Sequence, residues 1–187
     1  MNGFAAALAI LLLAHLGAVA LDAGQPAPAF VARDADGRAV TLAALRGRTV
    51  VLEWTNEGCP FVAHMYDSGV MQRLQRASAA QGVVWLTVIS SAPGRQGYLD
   101  GPGVRSWKAR TGAAPADVIL DPSGALGHRY DAPTTPDMFV IDRAGRLVYA
   151  GAIDDRPSTR PDDARTAANF VVLAFRRSAP GARCRLR

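Results

Sequence analysis

Two periods of apolar spacing alternate along the chain. Thr49-Val50-Val51-Leu52-Glu53-Trp54 is a near-continuous apolar, β-branched run, the pattern of a buried strand. From Phe61 to Ala80 the spacing changes, and Val62, Met65, Tyr66, Val70, Met71 and Leu74 recur as a helix requires. Val83 to Ile89 is a second buried strand, and Ser90 to Gly103 is a Gly/Pro-rich loop. Val104 to Thr111 follows as a short helix, Val118 to Leu120 as a short strand and Ser123 to Tyr130 as a helical turn. Upstream, Phe30 to Ala32 and Ala39 to Leu42 flank the turn-rich Asp34-Ala35-Asp36-Gly37, which predicts a small hairpin. Downstream, Met138 to Ile141 and Leu147 to Gly151 form another through Asp142-Arg143-Ala144-Gly145, and Thr166 to Arg177 closes the chain as a helix. This order predicts an α/β fold: a mixed central sheet flanked by helices, with an N-terminal hairpin extension.

The first residues follow neither period. Phe4 to Ala20 is apolar except for His15 and ends in Ala18-Val19-Ala20, a small-x-small site. Residues 1–20 therefore read as a secretory signal peptide, and 21–187 as one domain in a periplasmic or secreted protein. Met1-Asn2-Gly3 lacks Lys and Arg, so an uncleaved membrane anchor is the alternative. No second run has spanning length, so the processed chain carries no membrane span.

Charge changes the picture little. The net charge of +5 resides in Arg176, Arg177, Arg183, Arg185 and Arg187, which leaves the body neutral and makes 176–187 a basic tail. No aromatic residues interleave with these arginines, and nucleic acid is not an expected partner. Two cysteines, Cys59 and Cys184, are too few for a disulfide framework, so the fold rests on its core.

The chemistry concentrates where the first strand ends. Thr55-Asn56-Glu57-Gly58 leads into Cys59-Pro60-Phe61. Pro60 suits the first turn of a helix, having a fixed φ and no N–H to lose. Cys59 then stands at the helix N-terminus, where free N–H groups and the helix dipole favour a thiolate. A small buried apolar cysteine is the alternative, and the strand-to-helix context favours the reactive one. Glu53 is either a buried carboxylate near the thiol, acting as proton acceptor, or a solvated residue at the strand's end. Trp54 would wall the active corner or pack in the core, while Thr55 and Asn56 would donate hydrogen bonds to the sulfur. His64 is expected on the surface and His128 in a distant turn. Met65 and Met71 read as core. The chain has no zinc spacing, no Cys-x-x-x-Cys pair for copper, no phosphate loop and no Ser-His-Asp order, so neither metal nor cofactor is expected.

These residues resemble those of the thioredoxin fold, in its redoxin branch, which includes the alkyl hydroperoxide reductase and thiol-specific antioxidant group. The resemblance rests on Val51 to Val62, on Thr134-Thr135-Pro136-Asp137-Met138-Phe139-Val140-Ile141-Asp142, on Leu147 to Asp155, and on the opening Gly24-Gln25-Pro26-Ala27-Pro28-Ala29-Phe30. It implies that Pro136 is the cis proline opposite the cysteine, and that Thr135 before it pairs with a bound partner's backbone. It also implies that Cys59 is the attacking thiol. The second position of a Cys-x-x-Cys motif is Val62 here, so the usual resolving thiol is missing. The Pro-x-x-x-Thr-x-x-Cys pattern of peroxiredoxins is also missing, since Thr55 stands four residues before Cys59. Several relatives carry a cysteine in a short tail beyond the last helix. Gly181-Ala182-Arg183-Cys184 loosely resembles that tail, which implies a resolving role for Cys184, with an odd cysteine in a frayed terminus as the alternative.

The sequence therefore describes an exported thiol-based oxidoreductase that uses Cys59 on disulfides or oxidised thiols, with a thiol protein or small thiol as reductant. One alternative is a hydroperoxide-reducing antioxidant that passes through a Cys59 sulfenic acid. The other is a non-catalytic module that only binds beside Pro136. For the leader, fractionation and N-terminal sequencing should find a chain beginning at Leu21 outside the cytoplasm. An intact Met1 in a membrane pellet would mean an anchor.

Overall fold

The computed structural model describes residues 21–178, with side chains to residue 175. Its strands are β1 (Val31–Asp34), β2 (Ala39–Thr41), β3 (Val50–Trp54), β4 (Val84–Ile89), β5 (Asp117–Leu120), β6 (Asp137–Ile141) and β7 (Leu147–Gly151). Its helices are α1 (Pro60–Asp67), α2 (Val70–Ala80), α3 (Gly101–Thr111), α4 (Ala125–Arg129), α5 (Pro161–Thr166) and α6 (Phe170–Ser178). The sheet runs β2-β1-β5-β4-β3-β6-β7. Strands β3, β4 and β5 are parallel, β6 and β7 return antiparallel on one side, and the β1–β2 hairpin adds antiparallel pairing on the other.

Alternation along the inner strands divides the core into two layers. Val51, Trp85, Met138 and Val140 face a layer closed by Val62, Met65 and Tyr66 of α1, Met71 and Leu74 of α2, Trp107 of α3 and Val171 of α6. Val50, Leu52, Trp54, Leu86, Phe139 and Ile141 face the other, covered by α4, Tyr130 and the N-terminal segment around Phe30. All of β3, β4 and β6 is buried, which accounts for their continuous apolar runs.

Three expectations about helices need correction. The helix expected from Phe61 to Ala80 is two, because Gly69 adopts φ 75°, a left-handed conformation that interrupts the ladder between α1 and α2. The helix expected from Val104 begins at Gly101, where the Asp100 carboxylate caps it by accepting from the Gly103 N–H at 2.8 Å. The closing helix expected from Thr166 starts at Phe170 instead. Ala167 is extended, Asn169 pairs with Asp154 as an isolated bridge, and the Asn169 side chain accepts from the Val172 N–H at 3.0 Å.

One polar group is driven into the first layer. Glu53, fully buried on β3, accepts from the Tyr66 hydroxyl at 2.9 Å and the Gln75 amide at 3.1 Å. It also accepts from the Trp85 indole N–H at 2.7 Å and the Thr87 hydroxyl at 3.0 Å. Four donors from α1, α2 and β4 thus converge on one carboxylate and fix α1 and α2 against the sheet. Burial pushes the Glu53 carboxyl up from 4.5, and the four hydrogen bonds oppose that rise without cancelling it. The folded chain therefore holds this proton more tightly than the unfolded chain. Its contribution to stability is complete below about 4.5 and is lost as pH rises toward the raised folded value. Urea denaturation should show wild-type stability declining across that window relative to Glu53→Gln, and parallel curves would contradict the linkage. Glu53→Ala, which orphans the donors, should cost on the order of 3 kcal/mol below about pH 4.5 and less as pH rises through the same window.

Candidate active site at the β3–α1 corner

After Trp54 the chain leaves the sheet and turns back on itself before α1. The turn is held by Asn56, whose side-chain carbonyl accepts from the Gly58 N–H at 2.9 Å and whose backbone carbonyl accepts from the Cys59 N–H at 3.0 Å. From the loop after β4, the Gln96 amide donates to the Gly58 carbonyl at 2.6 Å, and the Asn56 amide donates to the Gln96 carbonyl at 3.2 Å. A Cβ on Gly58 would run into the Gln96 side chain, so glycine is needed for this approach. An ion pair from Arg110 to Glu57 at 2.8 Å ties the outer edge of the turn to α3. Gln96 was not anticipated from the sequence, because its partners lie about forty residues away.

Cys59 is the N-cap of α1, with φ −84° and ψ 122°, and Pro60 follows as the first helical residue. Its own carbonyl already accepts from the Val62 and Ala63 N–H groups at 3.0 and 2.9 Å. The side chain is half-buried and unpaired with any other cysteine among the described residues. Its thiol donates to the Thr135 carbonyl at 3.1 Å, and the Thr135–Pro136 peptide bond is cis. The thiol, Thr135 and Pro136 are thus brought together as the resemblance implies.

Beside them lies a cavity of about 420 Å³, lined by Phe61, His64, Thr135, Pro136, Ile153 and Asp154 among others. Phe61 stands exposed at its lip. His64, expected on the surface, is instead buried against this cavity, because the chain after β7 closes over that face of α1. Burial pushes the Asp154 carboxyl up, while the Arg156 N–H and the His64 charge pull it back.

Two candidates sit elsewhere. Trp54 does not line the groove: it points to the opposite face of the sheet, against Tyr130 and Phe139, and its indole donates to Ser90 at 3.0 Å. Thr55 is buried, with its hydroxyl unpaired, and it too lies off the groove. Cys184 lies outside the described residues, as do residues 1–20. Glu53 is on the same layer as α1, but none of its four hydrogen bonds reaches Cys59. A further carboxyl, Asp137, follows the cis proline and is pushed up to about 6 by burial. Its neighbours Tyr130 and Phe139 belong to the opposite layer. Among the described residues there is no cluster of His, Cys, Asp or Glu arranged for a metal ion, and no helix long and apolar enough to cross a membrane.

Solved structures with this architecture include a conserved protein from Geobacillus kaustophilus, 25% identical, with a TM-score of 0.67 and 87% of each chain covered. A protein from Sinorhizobium meliloti is 27% identical, with a TM-score of 0.65, covering 79% of this chain and 82% of that one. A putative thiol:disulfide interchange protein DsbE from Chlorobium tepidum is 22% identical, with a TM-score of 0.63, covering 85% and 99%. No curated protein matches the chain. The fold is thioredoxin-like, a mixed sheet flanked by helices. The family model for redoxins matches residues 22–168, which takes in the cysteine corner, the cis proline and the cavity beside it, and the chain belongs to the redoxin family.

Proposed function

We propose that the protein is an exported thiol–disulfide oxidoreductase with Cys59 as its nucleophile. The observation that carries this reading is the half-buried thiol at the start of α1, 3.1 Å from the Thr135 carbonyl and beside the cis Pro136. A helix N-terminus favours the thiolate. The Thr135 backbone offers an edge on which a partner's extended chain can lie. The thioredoxin-like neighbours include a thiol:disulfide interchange protein, which supports the same chemistry.

In the proposed cycle the Cys59 thiolate attacks one sulfur of the partner's disulfide. That bond breaks, and the partner's other sulfur leaves as a thiolate that takes a proton from water. The product is a mixed disulfide to Cys59. Val62 is buried in the core, so no second thiol is available one turn along α1. A further thiol must attack the Cys59 sulfur: Cys184 of the tail, or a small external thiol. Attack by Cys184 releases the reduced partner and leaves a Cys59–Cys184 disulfide, which an external dithiol reduces with two electrons. Glu53, buried beneath α1 with its carboxyl pushed up, is the proposed proton acceptor for the thiol.

Two measurements test the cycle. Purified protein with a dithiol should reduce the disulfides of insulin, and Cys59→Ser should lower the rate to background. Consumption of hydrogen peroxide or cumene hydroperoxide with no insulin reduction would replace this reading with the antioxidant one. The absence of both, with partner binding intact in Cys59→Ser, would leave a binding module. The second measurement is gentle oxidation followed by peptide mapping without reductant. A Cys59–Cys184 link within one chain is the expected product. Cys59 found only as an adduct of an added thiol, with Cys184 free, would make the protein a one-cysteine enzyme dependent on an external thiol.

A further inference from the structure

The wall of the groove carries two polar groups that the fold leaves unpaired. His64 is 4% exposed, and neither ring nitrogen has a hydrogen-bond partner. Asp154 is 9% exposed; one of its oxygens accepts from the Arg156 N–H at 2.9 Å, and the other has no partner. An unpaired buried polar group is destabilising, so the convergence of these two on one cavity points to a ligand that pairs them. The rest of the wall is the apolar surface of Phe61, Pro136 and Ile153. Among the charged residues of the lining, Asp154 and Asp155 outnumber Arg156. A long apolar stem ending in several N–H donors satisfies this set. A guanidinium donates to the free Asp154 oxygen, and a neutral imidazole at His64 would offer it one lone-pair nitrogen as a second acceptor.

The chain itself ends in such groups, with Arg183, Arg185 and Arg187 alternating around Cys184. The start of α6 is fixed at the groove, where the Phe170 N–H donates to the carbonyl of Ile153 at 2.9 Å. From there α6 runs about 12 Å to Ser178. The six residues from Ser178 to Cys184 span up to about 20 Å, enough to return to the groove.

We propose that His64 and Asp154 form an arginine subsite that captures the chain's own C-terminal tail, seating one of Arg183, Arg185 and Arg187 in the groove and holding Cys184 near Cys59. The inference deepens the proposed redox function and rests on Cys59 being its nucleophile. Docking is separate from turnover: it raises the local concentration of Cys184 before any bond forms.

The test follows the imidazole NMR signals of His64 in the full chain carrying Cys184→Ser, which removes the covalent link. His128 serves as internal control, and His64→Gln assigns the signal. Changing Arg183, Arg185 and Arg187 together to Ala alters only the tail and leaves the folded body untouched. The expected result is a displaced His64 signal, an unmoved His128 signal, and a return toward the original position on adding a peptide of residues 181–187 with Ser at 184. In the chain with both cysteines, the same three changes should slow Cys59–Cys184 formation by about tenfold, the worth of one hydrogen bond to a charged group. A His64 signal identical with and without the arginines overturns the proposal. So does a signal that responds to an unrelated basic peptide and not to the chain's own. Displacement of His64 in a protein that reduces no disulfide would overturn the redox reading alone.

Discussion

The antiparallel pairing of β3 with β6 is the constraint on which the site depends. Its register sets Trp54 opposite Asp137, so the end of one strand and the start of the other meet at the same edge of the sheet. Cys59 follows the first strand by one tight turn, and Pro136 immediately precedes the second. The thiol therefore meets the Thr135 carbonyl although 76 residues separate them in sequence. β3 is also paired with β4 along its whole length, from Val50–Val84 to Trp54–Val88, so it is tied on both edges. A slip of one residue would turn Glu53 toward Tyr130 and Trp54 toward the helices, breaking both core layers at once. The core and the site are specified by the same pairing.

Polar contacts then set the corner within that frame. Below α1, four donors hold Glu53 and tie β4, α1 and α2 to one point. Above it, the Asn56 amide donates to the Gln96 carbonyl and the Gln96 amide donates to the Gly58 carbonyl, which draws the loop after β4 onto the turn. A buried carboxylate contributes less stability than an apolar residue of the same size, because its desolvation is only partly offset. Its place in an otherwise apolar layer on the α1 side of the sheet is compatible with the proton-accepting role proposed for it, although its four hydrogen bonds stop short of Cys59.

The central strands and the cysteine corner were legible because continuous apolar runs and the Cys-Pro step are local signals. Their pairing across the sheet, and with it the meeting of Cys59 and Thr135, came from the resemblance rather than from spacing. The helix breaks were less visible: at Gly69 a single positive φ interrupts an apolar pattern that runs on through Met71 and Leu74. Of the two readings left open for Trp54, core packing holds, and the sequence already held the signal that selects it. Adjacent strand residues point to opposite faces, so Glu53 and Trp54 cannot both flank the thiol. His64 was misplaced for want of such a signal. Its burial comes from Ile153 and Asp154, which lie beyond β7 and nearly ninety residues away, and no local pattern reports them.

Val62 shows what this chain has exchanged. Its N–H still donates to the Cys59 carbonyl as the first turn of α1 requires, but its side chain is 1% exposed and packs into the layer with Met65 and Tyr66. A thiol at that position would stand three residues along α1 from Cys59, the spacing of a Cys-x-x-Cys pair, and valine removes it. Exchange with a disulfide needs an approach from outside the helix, and the open side of Cys59 faces Thr135, Pro136 and the cavity beyond them. Any resolving thiol must enter by the same groove as the substrate, after or beside it. The unpaired His64 of α1 and Asp154 beyond β7 both line the cavity on that side, which makes this wall the part of the molecule suited to choosing which thiol arrives.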